Sequence, residues 1–130
     1  MREWFRYADT DLAVANTLLA HQYPTPMEII CYHCQQAGEK YLKGCLLWYG
    51  IEPPRIHDLL RLGRLCNQYD TRFSQLDRQN IYLSQYGVQP RYPAEIPIDA
   101  SIMNLCIRYA SDIRDFKAIA EIRAKPDKTV

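Results

Sequence analysis

Apolar residues along the chain recur at steps of three and four. No stretch shows a convincing strand-like alternation, so the pattern predicts helices and no sheet. Leu12, Ala15, Leu18 and Leu19, with Trp4 and Ala8 on the preceding turns, predict a first helix from about Trp4 to about Gln22. Tyr23-Pro24 ends it. A second helix opens with Thr25 as N-cap, Pro26 at the first helical position and Glu28 completing a capping box. Ile30, Cys34, Ala37, Tyr41 and Trp48 form its apolar stripe, and Gly50 after Tyr49 supplies a left-handed C-terminal cap.

Pro53-Pro54 forces an extended link. A third helix then starts near His57-Asp58, with Asp58 as cap and Leu59, Leu62, Leu65 and Cys66 on the buried side. A weaker pattern predicts a fourth segment from about Thr71 to Tyr86, ending at Gly87. Residues 88–98 hold Pro90, Pro93 and Pro97 around Arg91-Tyr92 and read as an ordered loop of functional length. The last helix opens at Asp99 and runs to about Ala124 through Ile102, Leu105, Cys106, Tyr109, Ile113, Phe116 and Ala120. The expected fold is therefore all-α: an antiparallel, up-and-down bundle of four to five helices, with residues 1–130 forming one domain.

Composition narrows the function classes. With 16 basic against 15 acidic side chains the net charge is +1, so a general polyanion binder is excluded and any nucleic-acid contact must come from a local patch. No stretch approaches the apolar length that spans a bilayer, and the Met1-Arg2-Glu3-Trp4 start lacks the apolar core of a signal peptide. Five cysteines, an odd number, read as free and mostly buried thiols in a reducing cytoplasm. Cys31 and Cys34 form a single C-x-x-C inside a helix. That pattern lacks the second pair of a structural zinc site and the helix-start position of a redox pair. Neither a metal nor a cofactor is expected, and no nucleophile-elbow, Walker or dinucleotide fingerprint occurs.

The candidate chemistry lies on the second helix. His33, Gln36, Lys40 and Lys43 follow steps of three, four and three and share one face; Glu39 can pair with Lys43. A polar row on a largely buried helix needs partners or water, and this one could line an anion groove, with the lysines as point charges and His33 as donor or proton shuttle. Equally, the lysine heads can reach solvent and the histidine can be structural. His57 can join the row or sit at a turn. Arg91 can grip a phosphate or fasten the proline loop to a helix end.

The run Cys31-Tyr32-His33-Cys34-Gln35-Gln36-Ala37-Gly38-Glu39-Lys40-Tyr41-Leu42-Lys43 resembles the helix-two signature of HEPN domains. Trp4 with Ala8-Asp9 and Asp11-Leu12, then His57-Asp58-Leu59, then Arg91-Tyr92-Pro93 agree with it in order along nearly the whole chain. The resemblance implies a helical bundle, commonly a homodimer. It also implies kinship with small stand-alone prokaryotic proteins that partner minimal nucleotidyltransferases in toxin–antitoxin-like pairs. Many HEPN proteins are metal-independent ribonucleases using an Arg, four to six residues, then a His. That motif is missing here: none of His21, His33 and His57 has an arginine at the required distance before it. No catalytic residue is therefore carried over, and the expectation leans away from an enzyme. What the resemblance does transfer is a nucleotide- or RNA-binding groove of His33, Gln36, Lys40, Lys43, His57 and Arg91, supported by Glu39, Asp58 and Tyr92. A ribonuclease with rearranged residues, or a purely structural dimeric scaffold, are the alternatives.

Overall fold

The computed structural model describes residues 1–87 and 97–126, so Arg91, Tyr92 and most of the proline loop lie outside the described residues. Among the described residues the chain is all-helical: α1 (Arg2–His21), α2 (Met27–Trp48), α3 (Leu59–Asn67), a 3-10 stretch (Thr71–Leu76), α4 (Asp77–Ser84), α5 (Ala100–Arg114) and α6 (Lys117–Arg123). None of these helices is long and apolar enough to cross a membrane.

Helix α2 is the axis of the bundle. It packs on α1, α5, α3, α4 and α6. Its buried residues occupy most of its circumference, from Ile30 and Cys34 through Tyr41 and Leu42 to Leu46. Each large apolar side chain buried there contributes roughly 1.5–3 kcal/mol. Small residues set how closely the neighbours approach. A Cβ at Gly44 would lie 2.6 Å from the Phe5 ring, so the α1 aromatic rests directly on the α2 backbone.

Local signals account for most helix ends. Asp58 accepts from the Leu60 and Arg61 amides and Asp99 from the Ile102 amide, as the sequence predicts. Gly50 takes φ +86°, and the bonds from Gly50 N to Leu47 O and Ile51 N to Leu46 O close α2 in a Schellman-type cap. Three expectations need correction. The Thr25–Glu28 capping box does not form, because α2 starts one residue later at Met27, with Pro26 in the cap position and no side-chain cap bond. The fourth segment begins as a 3-10 stretch, drawn tight by the Asp70 carboxylate on the Arg72 amide, before α4 takes over. Finally, the single last helix is two.

The break falls at Asp115-Phe116, where no proline or glycine marks it. Extended backbone at Phe116 turns its ring onto Phe73, with centroids 5.5 Å apart, and folds α6 back so that Ala118, Ile119 and Ile122 are buried. Two ion pairs hold α6 in place. Arg123 grips the Asp9 carboxylate at 3.0 and 2.6 Å, and Arg72 bridges Asp70 and Glu121. Tyr41 also donates to Asp9, at 2.5 Å. Burial pushes the Asp9 carboxyl up, but the hydrogen bonds from Arg123 and Tyr41 outweigh it and hold the group below its ordinary value. Hydrogen bonds from Arg72 keep Asp70 and Glu121 low in the same way.

These carboxyls are lowered in the folded chain, so the stability they contribute is complete above the ordinary carboxylate range. It is lost as pH falls below about 4. Urea denaturation of Asp9→Asn should therefore show a loss of about 1 kcal/mol at neutral pH, limited by solvent screening of the half-exposed pair. The difference from the parent chain should vanish near pH 2.

Candidate functional site

The polar row of α2 meets two buried carboxylates. The first is Asp11, which lies on the inward stripe of α1 beside Ala8, Leu12 and Ala15. An acid on such a stripe needs a partner. It finds two: His33 Nδ1 at 2.9 Å from Oδ1, and Lys40 Nζ at 2.5 Å from Oδ2. The second is Glu39, only 5% exposed at its side chain. Its Oε2 accepts from Lys43 Nζ at 3.1 Å, and its Oε1 accepts from Gln35 Nε2 at 3.2 Å and lies 2.9 Å from His57 Nδ1.

Gln35 extends the Glu39 half. Its Oε1 accepts from Gln36 Nε2, and its Nε2 also donates to the His57 carbonyl. His57 is thus tied to α2 through both its ring and its backbone, which fixes the entry into α3. The Leu59 amide, donating to Ser84 Oγ, fastens the same turn to α4. Beside it opens a groove of about 520 Å³, lined by His57, Asp58, Leu60, Ile81, Ser84 and Gly87.

The predicted residues therefore divide. His33, Gln36 and Lys40 are partly exposed on one flank, with Asp11 behind them. His57, 72% exposed at its side chain, stands on the other flank at the groove, with Glu39 behind it. Lys43 shares the row by spacing but turns inward. It is 8% exposed, bound to Glu39, and its ammonium lies 5.7 Å from the Trp4 ring centroid. Asp58 is occupied as the α3 cap.

Sequence reasoning assigned no role to Asp11 or Gln35. The sign for Asp11 was present, since its position falls among apolar residues at helical spacing. Gln35 carried no sign, because its role depends on the fold of the α2–α3 link.

Chemically, each buried carboxylate holds only one donor of each group it touches. Lys40 keeps two ammonium protons, and His33 and His57 keep Nε2. Two histidines, a lysine and an amide are thus presented outward from a rigid backing. Among the described residues no group of three or more His, Cys, Asp or Glu is arranged to hold an ion. The C-x-x-C thiols are buried in the core, and burial pushes Cys34 up to about 12.

A family model described as HEPN domain matches residues 1–121, a span that takes in every residue of this cluster. Searches of curated proteins and of solved structures each found no match to the chain.

Breaking the buried Glu39–Lys43 pair from one side leaves an unpaired interior charge. Glu39→Ala should cost about 3–5 kcal/mol in chemical denaturation. The double replacement Glu39→Met with Lys43→Met should recover much of that loss, because no orphaned charge remains.

Proposed function

The chain belongs to the HEPN domain family, whose members point to functions connected with nucleotides or RNA, and on that footing we propose that it is a binding module for nucleotide or RNA phosphate. In this reading residues 1–130 act as one domain, as a homodimer in the cytoplasm, and present the bound group to a small nucleotidyltransferase in a toxin–antitoxin-like pair. One observation carries the proposal: Asp11 and Glu39 hold His33, Lys40 and His57 from behind, leaving two ammonium protons of Lys40 and the Nε2 atom of each imidazole free of them. Phosphate oxygens accept from the ammonium, and from Nε2 where the ring carries both protons. Gln36 stands on the flank of His33 and Lys40, and the groove at His57 offers space for a sugar or base. Arg91 and Tyr92, with the rest of their loop, would complete the contact.

Calorimetric titration with mononucleotides, with and without the nucleotidyltransferase, tests this. Lys40→Ala and His57→Ala should each weaken binding about tenfold or more, the value of a hydrogen bond to a charged group. A parent chain that takes up no nucleotide in either setting would remove the proposal.

A second reading has its own support. A carboxylate behind a histidine is the arrangement that orients a general base, and it occurs twice here, at Asp11–His33 and Glu39–His57. A ribonuclease built on these couples would draw its acid and base from His33 and His57. Helix geometry weighs against it within one chain. At about 100° per residue, the Gln35 position that holds His57 lies roughly 160° around α2 from His33. The two imidazoles thus flank the polar face, and a single scissile phosphate would need a second copy of the chain. Any RNA cleavage that persists in the double variant His33→Ala, His57→Ala rejects this reading.

A further inference from the structure

The net charge of +1 hides an uneven distribution. Several cations are matched to a carboxylate: Lys40 to Asp11, Lys43 to Glu39, Arg72 to Asp70 and Glu121, Arg114 to Asp115, Arg123 to Asp9. Helix α3 differs. It contains no acidic residue, and Arg61 and Arg64 stand on its outer face with no ion pair or side-chain hydrogen bond among the described residues. They line one hollow of about 230 Å³ with Leu65 and Gln68. Another arginine-lined hollow, at the start of α1, has carboxylates of its own: there Arg123 is engaged by Asp9 and Arg6 by Glu3, beside Arg2.

Three features point to what the α3 face takes. Residues three apart on a helix sit roughly 5–6 Å from each other at Cβ. Two long guanidinium side chains on that spacing can reach successive phosphates of one strand. Guanidinium forks match phosphate oxygens in a bidentate way, and the Gln68 amide adds a neutral donor. Next to Gln68 stands Tyr69, whose ring lies stacked on Tyr49 at 4.8 Å and 9°. One face of Tyr69 is therefore covered and stiffened, yet the residue remains 47% exposed. A half-covered, rigid aromatic ring one residue beyond Gln68, which lines the hollow, is a stacking platform for a base.

We infer that the outer face of α3, with Tyr69, is a binding surface for single-stranded nucleic acid: Arg61 and Arg64 hold the backbone and Tyr69 stacks a base. This surface is separate from the α2 row, and its ligand class rests on the reading of the chain as a phosphate binder. An acidic protein partner fits the arginines but leaves the aromatic platform unexplained.

Fluorescence anisotropy with a labelled oligouridylate tests the inference. The same measurement with oligothymidylate and with a poly-glutamate peptide, each over a series of salt concentrations, distinguishes the sources. The parent chain should bind an oligonucleotide, with RNA and DNA arms showing which sugar is preferred, and should bind the peptide far less. Arg61→Ala with Arg64→Ala should weaken oligonucleotide binding at least tenfold and flatten the salt dependence by about 1.4 in log–log slope, the value for two released contacts on a single strand. Tyr69→Ala should weaken binding while leaving the slope unchanged. All three residues are exposed, and circular dichroism should show these variants folded.

Unchanged affinity and slope in the arginine variant, no oligonucleotide binding by the parent chain, or equal binding of poly-glutamate would each overturn the inference. Mononucleotide titration keeps the two surfaces apart. The arginine variant should bind mononucleotide as the parent does, whereas Lys40→Ala should lose mononucleotide. A failure at α3 alone thus leaves the α2 row standing, and the reverse holds as well.

Discussion

The Glu39 carboxylate is the group on which the arrangement depends. It is almost wholly removed from water, and an isolated charge there would be strongly unfavourable. Three groups on it offset that cost: the Lys43 ammonium, the Gln35 amide and the His57 ring. Because His57 is not on α2, satisfying Glu39 also sets the path of the chain between α2 and α3. The prolines at 53 and 54 keep that link extended, so the ring can reach back. A local electrostatic requirement thus becomes a constraint on how two helices meet.

The same logic explains why the polar face of α2 is compatible with a packed bundle. Asp11 repeats on α1 what Glu39 does on α2, with a different histidine and a different lysine. Exposed donors are held by interior acceptors, so their rotamers are restricted before any ligand arrives. Groups fixed in this way lose less conformational freedom on binding than free surface lysines do. The α3 arginines are the contrast. Among the described residues they have no ion pair, and their long side chains suit a flexible strand rather than one small group.

What could be read from the sequence was local chemistry. The Asp58 and Asp99 caps and the positive φ of Gly50 follow from single residues and their immediate neighbours, and they stand where expected. The Thr25 box looked equally local, yet Pro26 takes the cap position itself and α2 starts beyond it. The break at Asp115-Phe116 was not legible, because its causes lie elsewhere in the chain: Phe73, Arg72 and Asp9. At the candidate site, spacing brought His33, Gln36 and Lys40 to one flank, and Glu39 pairs with Lys43 as expected. Spacing alone did not show that Lys43 turns inward to Trp4, nor that Asp11 closes the cluster. Arg61 and Arg64 went unnoticed because a whole-chain charge near zero conceals which cations have partners.

The bond between Arg123 and Asp9 joins positions 114 apart in the sequence, among the longest loops the chain can close. A contact between positions so far apart carries a larger loop-closure cost than any local one, although that cost grows only slowly with length. Helix α6 is short and held chiefly by this clasp, by Glu121 and by three small-to-medium apolar side chains. It is therefore the part most readily released while the remainder stays intact. Amide exchange in α6 should outpace that in α2, and the bundle would begin to open along this seam.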